Sequence, residues 1–364
     1  MTDKEIEINL SIVDTIKKYS YDPIELTYGA NTPVSWGRDN DIPSLLRNCY
    51  EQSATLKSII DGSVNYVLGS EIMVSDDIAC FNEQVNSRGT TMRQLIEHIA
   101  SDYYKYGNFA IQVIYSKMGT LCELYPLDVT RCRLNESQTK VYYSKKAWTK
   151  YQTKAEEFDR FNRKNINPEK KTQIYFYNGN GINATYSKAP WIGALNDVLT
   201  EIEIGKYSLN SVSNGFQARY IVNIPSANNL TQEQKDLVEK RFKEKFSGVD
   251  TNSNFMLYFN GNDKDGIKIE KMEVDDAPEK FIAIKENARS NIYTSLRCTP
   301  TLFGLLNQSS GFNSQEYSSA FKLFQKTVIE PFQKMLIENL DKIFGVKDCI
   351  EIKPFEIDFD KNDD

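Results

Sequence analysis

Protein chemistry needs groups that move protons, attack electron-poor centres or hold metals, and this sequence spreads them thinly. Histidine occurs once, at His98. The six cysteines, Cys49, Cys80, Cys122, Cys132, Cys298 and Cys349, form no CxxC pair. That spacing offers no zinc site and fits free thiols used as small core side chains. No GxxxxGK[ST] phosphate loop and no nucleophile elbow is present, which excludes a Walker-type ATPase and leaves nothing to complete a triad with His98. Its place off the apolar stripe of its segment makes His98 a partly exposed helix residue. Asp275-Asp276 and Asp363-Asp364 are adjacent pairs on a turn and in an acidic tail. Such pairs are solvated and are not spaced across a substrate.

What stands out is how charge is distributed. From Cys298 to Gln315 eighteen residues carry no charged side chain, although 26% of the chain is charged. The centre of that stretch, Asn307, Gln308, Ser309, Ser310, Gly311, Phe312 and Asn313, is polar and neutral; on the residues alone, an ordinary exposed connection explains it equally well. Between Thr231 and Phe246, Lys235, Lys240, Arg241, Lys243 and Lys245 are interleaved with Glu233, Asp236, Glu239 and Glu244. Lys285 and Arg289 lie one helical turn apart. The net charge is −6, so the chain lacks the basic footprint of a dedicated nucleic-acid binder.

These groups must be carried by elements, and the length of 364 residues suggests two or three domains or one elongated subunit. The segment "MTDKEIEINL" has no apolar core, so a signal peptide is not expected, and no apolar run reaches the length of a membrane span. Residues 1–35 read as an irregular lead-in with a short amphipathic helix in "SIVDTIKKY". Asp41 is placed to cap a helix with Pro43 in its first turn and Leu45, Leu46, Cys49 and Tyr50 on one face. A second helix runs from Ala54 to Leu68, with Leu56, Ile59, Ile60, Val64 and Val67 on one stripe and Gly69 at its end. A third carries Met92, Leu95, Ile96, Ile99 and Tyr103 and stops at Gly107-Asn108.

From Phe109 to Ser187 the pattern becomes strands: "FAIQVIY", "LCELYPL", "KVYYS", "TQIYFYN" and "INATYS", the last two joined by a hairpin at Asn178-Gly179-Asn180-Gly181. Pro190-Trp191 opens a long helix whose apolar side is Leu195, Val198, Leu199, Ile202 and Leu209. "RYIVNIP" is a strand. Asn228, Asn229 or Thr231 caps a helix ending at Gly248, with Leu237, Val238, Phe242 and Phe246 toward the strands. "NFMLYFNG" and "IKIEKMEV" follow, then a helix from Pro278 to Leu296. After the neutral stretch a helix spans 314–344, with Pro331 as a kink, and "FEIDFDKNDD" forms an acidic tail. Two helices therefore enclose a small strand–helix–strand–strand unit in the sequence.

That order resembles the portal proteins of tailed bacteriophages. "SWGRDNDIPSLLRNCYEQSATLKSIIDGSVNYVLG" is similar to the family's N-terminal wing helices, and "YKYGNFAIQVIYSKMGTLCELYPLDVTRCRL" to its wing strands. "NIPSANNLTQEQKDLVEKRFKEKFSG" resembles the clip, and "NIYTSLRCTPTLFGLLN" the end of the second stem helix. No single motif is diagnostic; the order of the four segments, from about residue 33 to 345, makes the match specific.

The resemblance implies an α+β, portal-type subunit with an α/β wing, a two-helix stem and a small α/β clip. It divides the chain into wing (1–189), first stem helix (190–218), clip (219–276), second stem helix (277–298), tunnel loop (299–315), long wing helix (316–345) and C-terminal tail (346–364), with a helical crown absent or vestigial. It further implies a dodecameric ring at one capsid vertex, a channel for packaging and ejecting double-stranded DNA, and contacts with terminase, a head-tail adaptor, and major capsid or scaffold protein. The implied location is the virion, after synthesis in the bacterial host cytoplasm, with no membrane, metal or cofactor. Asn307 to Asn313 would be the tunnel loop.

Duplex DNA carries a phosphate charge for each ~1.7 Å of its axis, and basic loops around it would grip it; neutral amides and hydroxyls would let it slide. Phe312 would wedge against DNA or pack back on the stem. Lys285 and Arg289 would line the channel, or else pair with Glu286 and nearby acids as solvated helix charges. Lys240, Arg241, Lys243 and Lys245 would form a docking surface on the clip, or a solvated face. The alternatives are another connector or tail ring component, or a soluble enzyme.

Overall fold

The computed structural model describes residues 21–27, 29–149, 154–166, 169–179, 184–213, 219–224, 231–246, 255–259, 268–272, 278–304 and 314–355. The expected helix in "SIVDTIKKY" and the tail from 356 onward lie outside them. The chain forms two units: one from Met1–Leu199 together with Arg289–Asp364, the other from Thr200–Ala288. Helices and sheets are both present in quantity, and the fold class is α+β.

In the first unit, α1 (Ile42–Gln52) and α2 (Ala54–Leu68) are separated by one residue. Ser53 ends α1, and its hydroxyl accepts from the Leu56 amide at 3.1 Å, starting α2. Leu56, Ile59, Ile60 and Val67 of α2 are completely covered, each worth roughly 1.5–3 kcal/mol of burial. Asp41 occupies the cap position of α1 but makes no side-chain cap bond. Its backbone already lies in the helical region, which turns the carboxylate away from the first amides. Of the expected α1 face, Leu46 and Cys49 are buried, while Leu45 and Tyr50 are half-covered.

β1 (Glu71–Val74) follows, then α3 (Met92–Tyr106). Thr91 and Gln94 form a reciprocal capping box, with the Gln94 amide donating to Thr91 Oγ1 at 3.2 Å and the Thr91 amide to Gln94 Oε1 at 3.0 Å. Gly107 closes α3 at φ 75°, and a Cβ there would stand 2.2 Å from the Lys188 carbonyl. Only glycine meets both demands.

The main sheet contains β2 (Phe109–Tyr115), β3 (Leu121–Leu127), β4 (Cys132–Leu134), β5 (Lys140–Tyr143), β6 (Glu156–Arg160) and β7 (Thr172–Tyr177), in the order β3-β2-β7-β6-β5-β4. All neighbours are antiparallel except β6 and β7. The expected strand in "INATYS" is not one: residues 184–187 are irregular. Side chains satisfy this backbone instead of a ladder. The Thr185 amide donates to the Glu25 carboxylate at 2.9 Å, Asn178 Nδ2 donates to the Thr185 carbonyl at 2.9 Å, and Asn108 bonds both backbone groups of Ser187.

α4 (Leu195–Ser213) passes from the first unit into the second. The second unit holds a three-stranded sheet of β8 (Arg219–Ile224), β9 (Phe255–Phe259) and β10 (Lys268–Met272), ordered β10-β8-β9. β8 and β9 are parallel, and α5 (Gln232–Phe246) is the connection between them that parallel pairing requires. α6 (Pro278–Ser295) leads back into the first unit.

The last long helix is not uniform. α7 (Ser314–Phe324) gives way to a π-helical turn over Gln325–Ile329, and α8 (Glu330–Phe344) carries Pro331 in its first turn. The wider turn accommodates the proline. It has no amide to donate, and its ring would strike the carbonyl four residues back. Residues 346–364, read as a tail, contribute β11 (Ile350–Lys353), which pairs antiparallel with β1.

His98 and Asp102 form an i,i+4 pair on α3, 3.5 Å apart. Asp102 also accepts from the Val129 amide at 3.2 Å. Burial pushes its carboxyl up to about 6, and His98 pulls only partly in the other direction. Because the folded value lies above the unfolded one, this group's stabilising contribution is complete below about pH 4 and is lost as pH rises through 6, a swing of about 3 kcal/mol. Asp102→Asn keeps an acceptor and removes the titration. It is expected to raise the urea midpoint at pH 8 and to give no gain at pH 4.5; equal effects at both pH values would contradict this.

Candidate functional site

The neutral stretch begins as one turn of 3₁₀ helix, Pro300–Phe303, which Gly304 ends at φ 85°. Asn307, Gln308, Ser309, Ser310, Gly311, Phe312 and Asn313 lie outside the described residues, but both ends of the segment are described. On the entry side Leu302 is buried, and Phe303 meets Tyr66 of α2 edge-on at 6.2 Å and Phe324 at 5.8 Å. On the exit side Phe321 and Phe324 are buried against the same Tyr66, at 5.6 and 5.8 Å. The Tyr66 hydroxyl meets that of Tyr317 at 3.4 Å. Aromatic pairs of this geometry add about 0.5–1.5 kcal/mol each beyond their burial. One tyrosine therefore anchors both ends of the neutral segment. The glycine one turn before it, Gly62, makes room: a Cβ there would stand 2.6 Å from the Phe303 ring. Sequence reading passed over this cluster because its members come from three distant segments. The small residue facing an aromatic, Gly62 against Phe303, left no local trace.

α4 and α6 adjoin at two levels. Asn291 Nδ2 donates to Asp197 Oδ1 at 2.8 Å within the first unit. Tyr207 and Phe281 stack at 5.0 Å within the second. Along α4, Leu195, Val198 and Ile202 are buried as the spacing predicts, but Leu209 is 66% exposed. The expected apolar side therefore stops short of Leu209, which no described residue of its own unit covers more than partly. α6 behaves likewise: Ala288, Ile292 and Tyr293 are buried, whereas Ile282 is 56% and Ile284 46% exposed. Tyr207 is exposed as well. Lys285 and Arg289 are half-buried on α6, at the border of its covered face. Periodicity marked these helices as amphipathic but could not show that their apolar stripes outrun the partner available within one chain.

On α5 the cap is Thr231, whose amide donates to Gln234 Oε1 at 3.0 Å. Lys240 and Arg241 are exposed, together with Glu233 and Asp236. The side chains of Lys243 and Lys245 lie outside the described ones. Leu237 was expected on the packed face but is 48% exposed. It lies about 100° around the helix from half-covered Val238, which places it on the side of Glu233, Lys240 and Arg241. The exposed face of α5 thus carries one large apolar side chain amid mixed charge.

A family model for phage portal proteins matches residues 72–363. No curated protein matches the sequence. Among solved structures, the chain is similar to one in the virion of a native gene transfer agent particle, at 17% identity and TM-score 0.57, over 92% of this chain and 87% of that one. It is similar to one from the neck of the native particle computed with C12 symmetry, at 15% identity and TM-score 0.55, over 96% and 89%. It is also similar to an HK97 family phage portal protein from Corynebacterium diphtheriae, at 11% identity and TM-score 0.54, over 81% and 88%. At these identities the structural likeness is one of fold.

Proposed function

Because the chain belongs to the phage portal protein family, we propose that its copies close into a twelve-membered ring at one capsid vertex. The ring is the channel through which double-stranded DNA is packaged and later ejected, and its outer end docks terminase and then head-tail adaptors. In this reading the protein is a structural conduit and not an enzyme, made in the bacterial host cytoplasm and built into the virion beside major capsid or scaffold protein. Residues 1–189 and 316–345 form the wing, 190–218 and 277–298 the stem, 219–276 the clip and 299–315 the tunnel loop. Lys285 and Arg289 border the channel.

The observation that carries the reading is the set of large apolar side chains left in water on two long helices: Leu209 on α4, Ile282 and Ile284 on α6. Such side chains call for a neighbour, and a head-to-tail contact between copies supplies one at every position around a closed ring. The similar neck of the native particle was computed with C12 symmetry, which supports twelve copies in the ring. Imaging of the assembled particle by electron microscopy tests the proposal. A closed ring with a through-channel is expected. A compact monomer with hydrolytic activity, an isologous dimer, or a ring of another connector type without a channel would overturn it.

The outward charges of α5 give a second test. Lys240→Glu with Arg241→Glu is expected to leave the ring intact and to weaken docking of the motor or adaptor by about tenfold at low salt, with a smaller effect at high salt. Normal packaging and tail joining with both charges reversed would reduce these residues to a solvated helix face.

A further inference from the structure

The first unit holds a buried positive charge that the channel does not use. Arg133, in the middle of β4, is 1% exposed. Its guanidinium carbon lies 5.5 Å from the ring centre of Trp36 and 5.1 Å from that of Trp148. Nε donates to Asn40 Oδ1 at 2.6 Å, and Nη1 donates to the carbonyls of Thr130 at 3.0 Å and Cys132 at 2.7 Å. Nη2 reaches the Asn40 carbonyl at 3.4 Å. Every one of these acceptors is neutral. Burial lowers the pKa of Arg133 to about 10, so the group is still charged at pH 7.

Among the described residues no carboxylate pairs with Arg133. The nearby Asp128 is shared between Arg47 at 3.3 Å and Arg131 at 3.6 Å. Asp39 acts on Arg38, and Asp41 is exposed. A guanidinium has five N–H groups, and the bonds above use four, leaving one on Nη2. Arg131 Nη1 is buried and has no hydrogen-bond partner among the described residues.

Arg47, Arg131 and Arg133 line one cleft of about 30 Å³, together with Thr130 and with Ser44 from the first turn of α1. The cleft is open on one side. Three guanidinium groups meet there with one carboxylate between them, and the positive end of a helix adds to the same sign. Water could fill the vacant donor positions but could not balance the charge, which only the faces of Trp36 and Trp148 offset at Arg133. An oxyanion does both, and guanidinium forks match its geometry.

We propose that this cleft binds a small oxyanion of the phosphate class, held between Arg131 and Arg133 with Arg47 at its rim. The test is thermal unfolding of the full chain at pH 7 in inorganic phosphate, in acetate and in chloride at matched ionic strength. Phosphate is expected to raise Tm saturably, by about 2 °C or more above chloride. The rise should disappear in Arg131→Gln and shrink in Arg47→Gln, which is read in its place if Arg131→Gln does not fold. Broadening of the phosphate ³¹P resonance by the wild-type protein should disappear with it. No rise beyond chloride, or an unchanged rise in both variants, would overturn the proposal. A rise in acetate with none in phosphate would overturn the phosphate class.

Discussion

Leu209→Glu combined with Ile282→Glu is expected to abolish the ring while leaving the subunit folded. Both positions are more than half exposed in the single chain, at 66% and 56%. Charging them should therefore change the isolated subunit by no more than about 0.5 kcal/mol. In a closed ring every copy would present the same pair to its neighbour. Each interface would then have to bury carboxylates without partners, at a cost of several kcal/mol per group. That penalty recurs at every contact of a structure that exists only if all contacts form. Sedimentation should find slow-moving subunits only, with far-UV dichroism and the urea midpoint unchanged. Rings in normal yield would show that these helices do not meet between copies.

The second large effect is expected in the neutral stretch. Ser309→Lys with Ser310→Lys adds two positive charges per subunit to a segment that has none from Cys298 to Gln315. If these residues face the duplex, each new phosphate contact releases counterions and deepens a salt-dependent grip that a moving polymer must break repeatedly. Packaging should slow by about an order of magnitude, recover partly at higher salt, and leave ring yield untouched. The anchors of the segment, Phe303 and Phe324 on Tyr66, are unaffected by the change, so a packaging defect would not be a folding defect. An unchanged rate and an unchanged length of packaged DNA would remove the segment from the DNA path.

Local physics wrote most of the first unit into the sequence. Helices over Ala54–Leu68 and Met92–Tyr106 and strands over Phe109–Tyr115 and Leu121–Leu127 were legible because cap, stripe and stop residues agreed at each. β6 was missed because "EEFDR" shows no apolar alternation; Glu156 and Glu157 are exposed, and the strand is held by its neighbours in the sheet. Asn178-Gly179 read as a hairpin, yet the following segment spends its backbone bonds on Glu25, Asn108 and Asn178, a side-chain solution that turn propensity cannot foresee. Pro331 announced a break, but a π turn and a sharp kink are equally good answers to a missing amide. Of the candidate site, the lack of charge was plain from composition. The Tyr66 cluster and the uncovered ends of α4 and α6 depend on which segments meet, and no local pattern carries that information.

The pairing of β1 with β11 also fixes an order of events during synthesis. Lys353 bonds Glu71, 282 residues earlier in the chain. At typical ribosomal speeds that interval takes on the order of tens of seconds. For all that time Glu71–Val74 must wait without its ladder partner. The second unit, from Thr200 to Ala288, is complete in the nascent chain well before the first can close. The early helices and sheet thus stand beside a strand with no ladder partner, and polypeptides in that condition are what chaperones recognise. A pulse of protease should cut near residues 69–75 in stalled nascent chains and not in the released chain, where Ile350–Lys353 is free to pair.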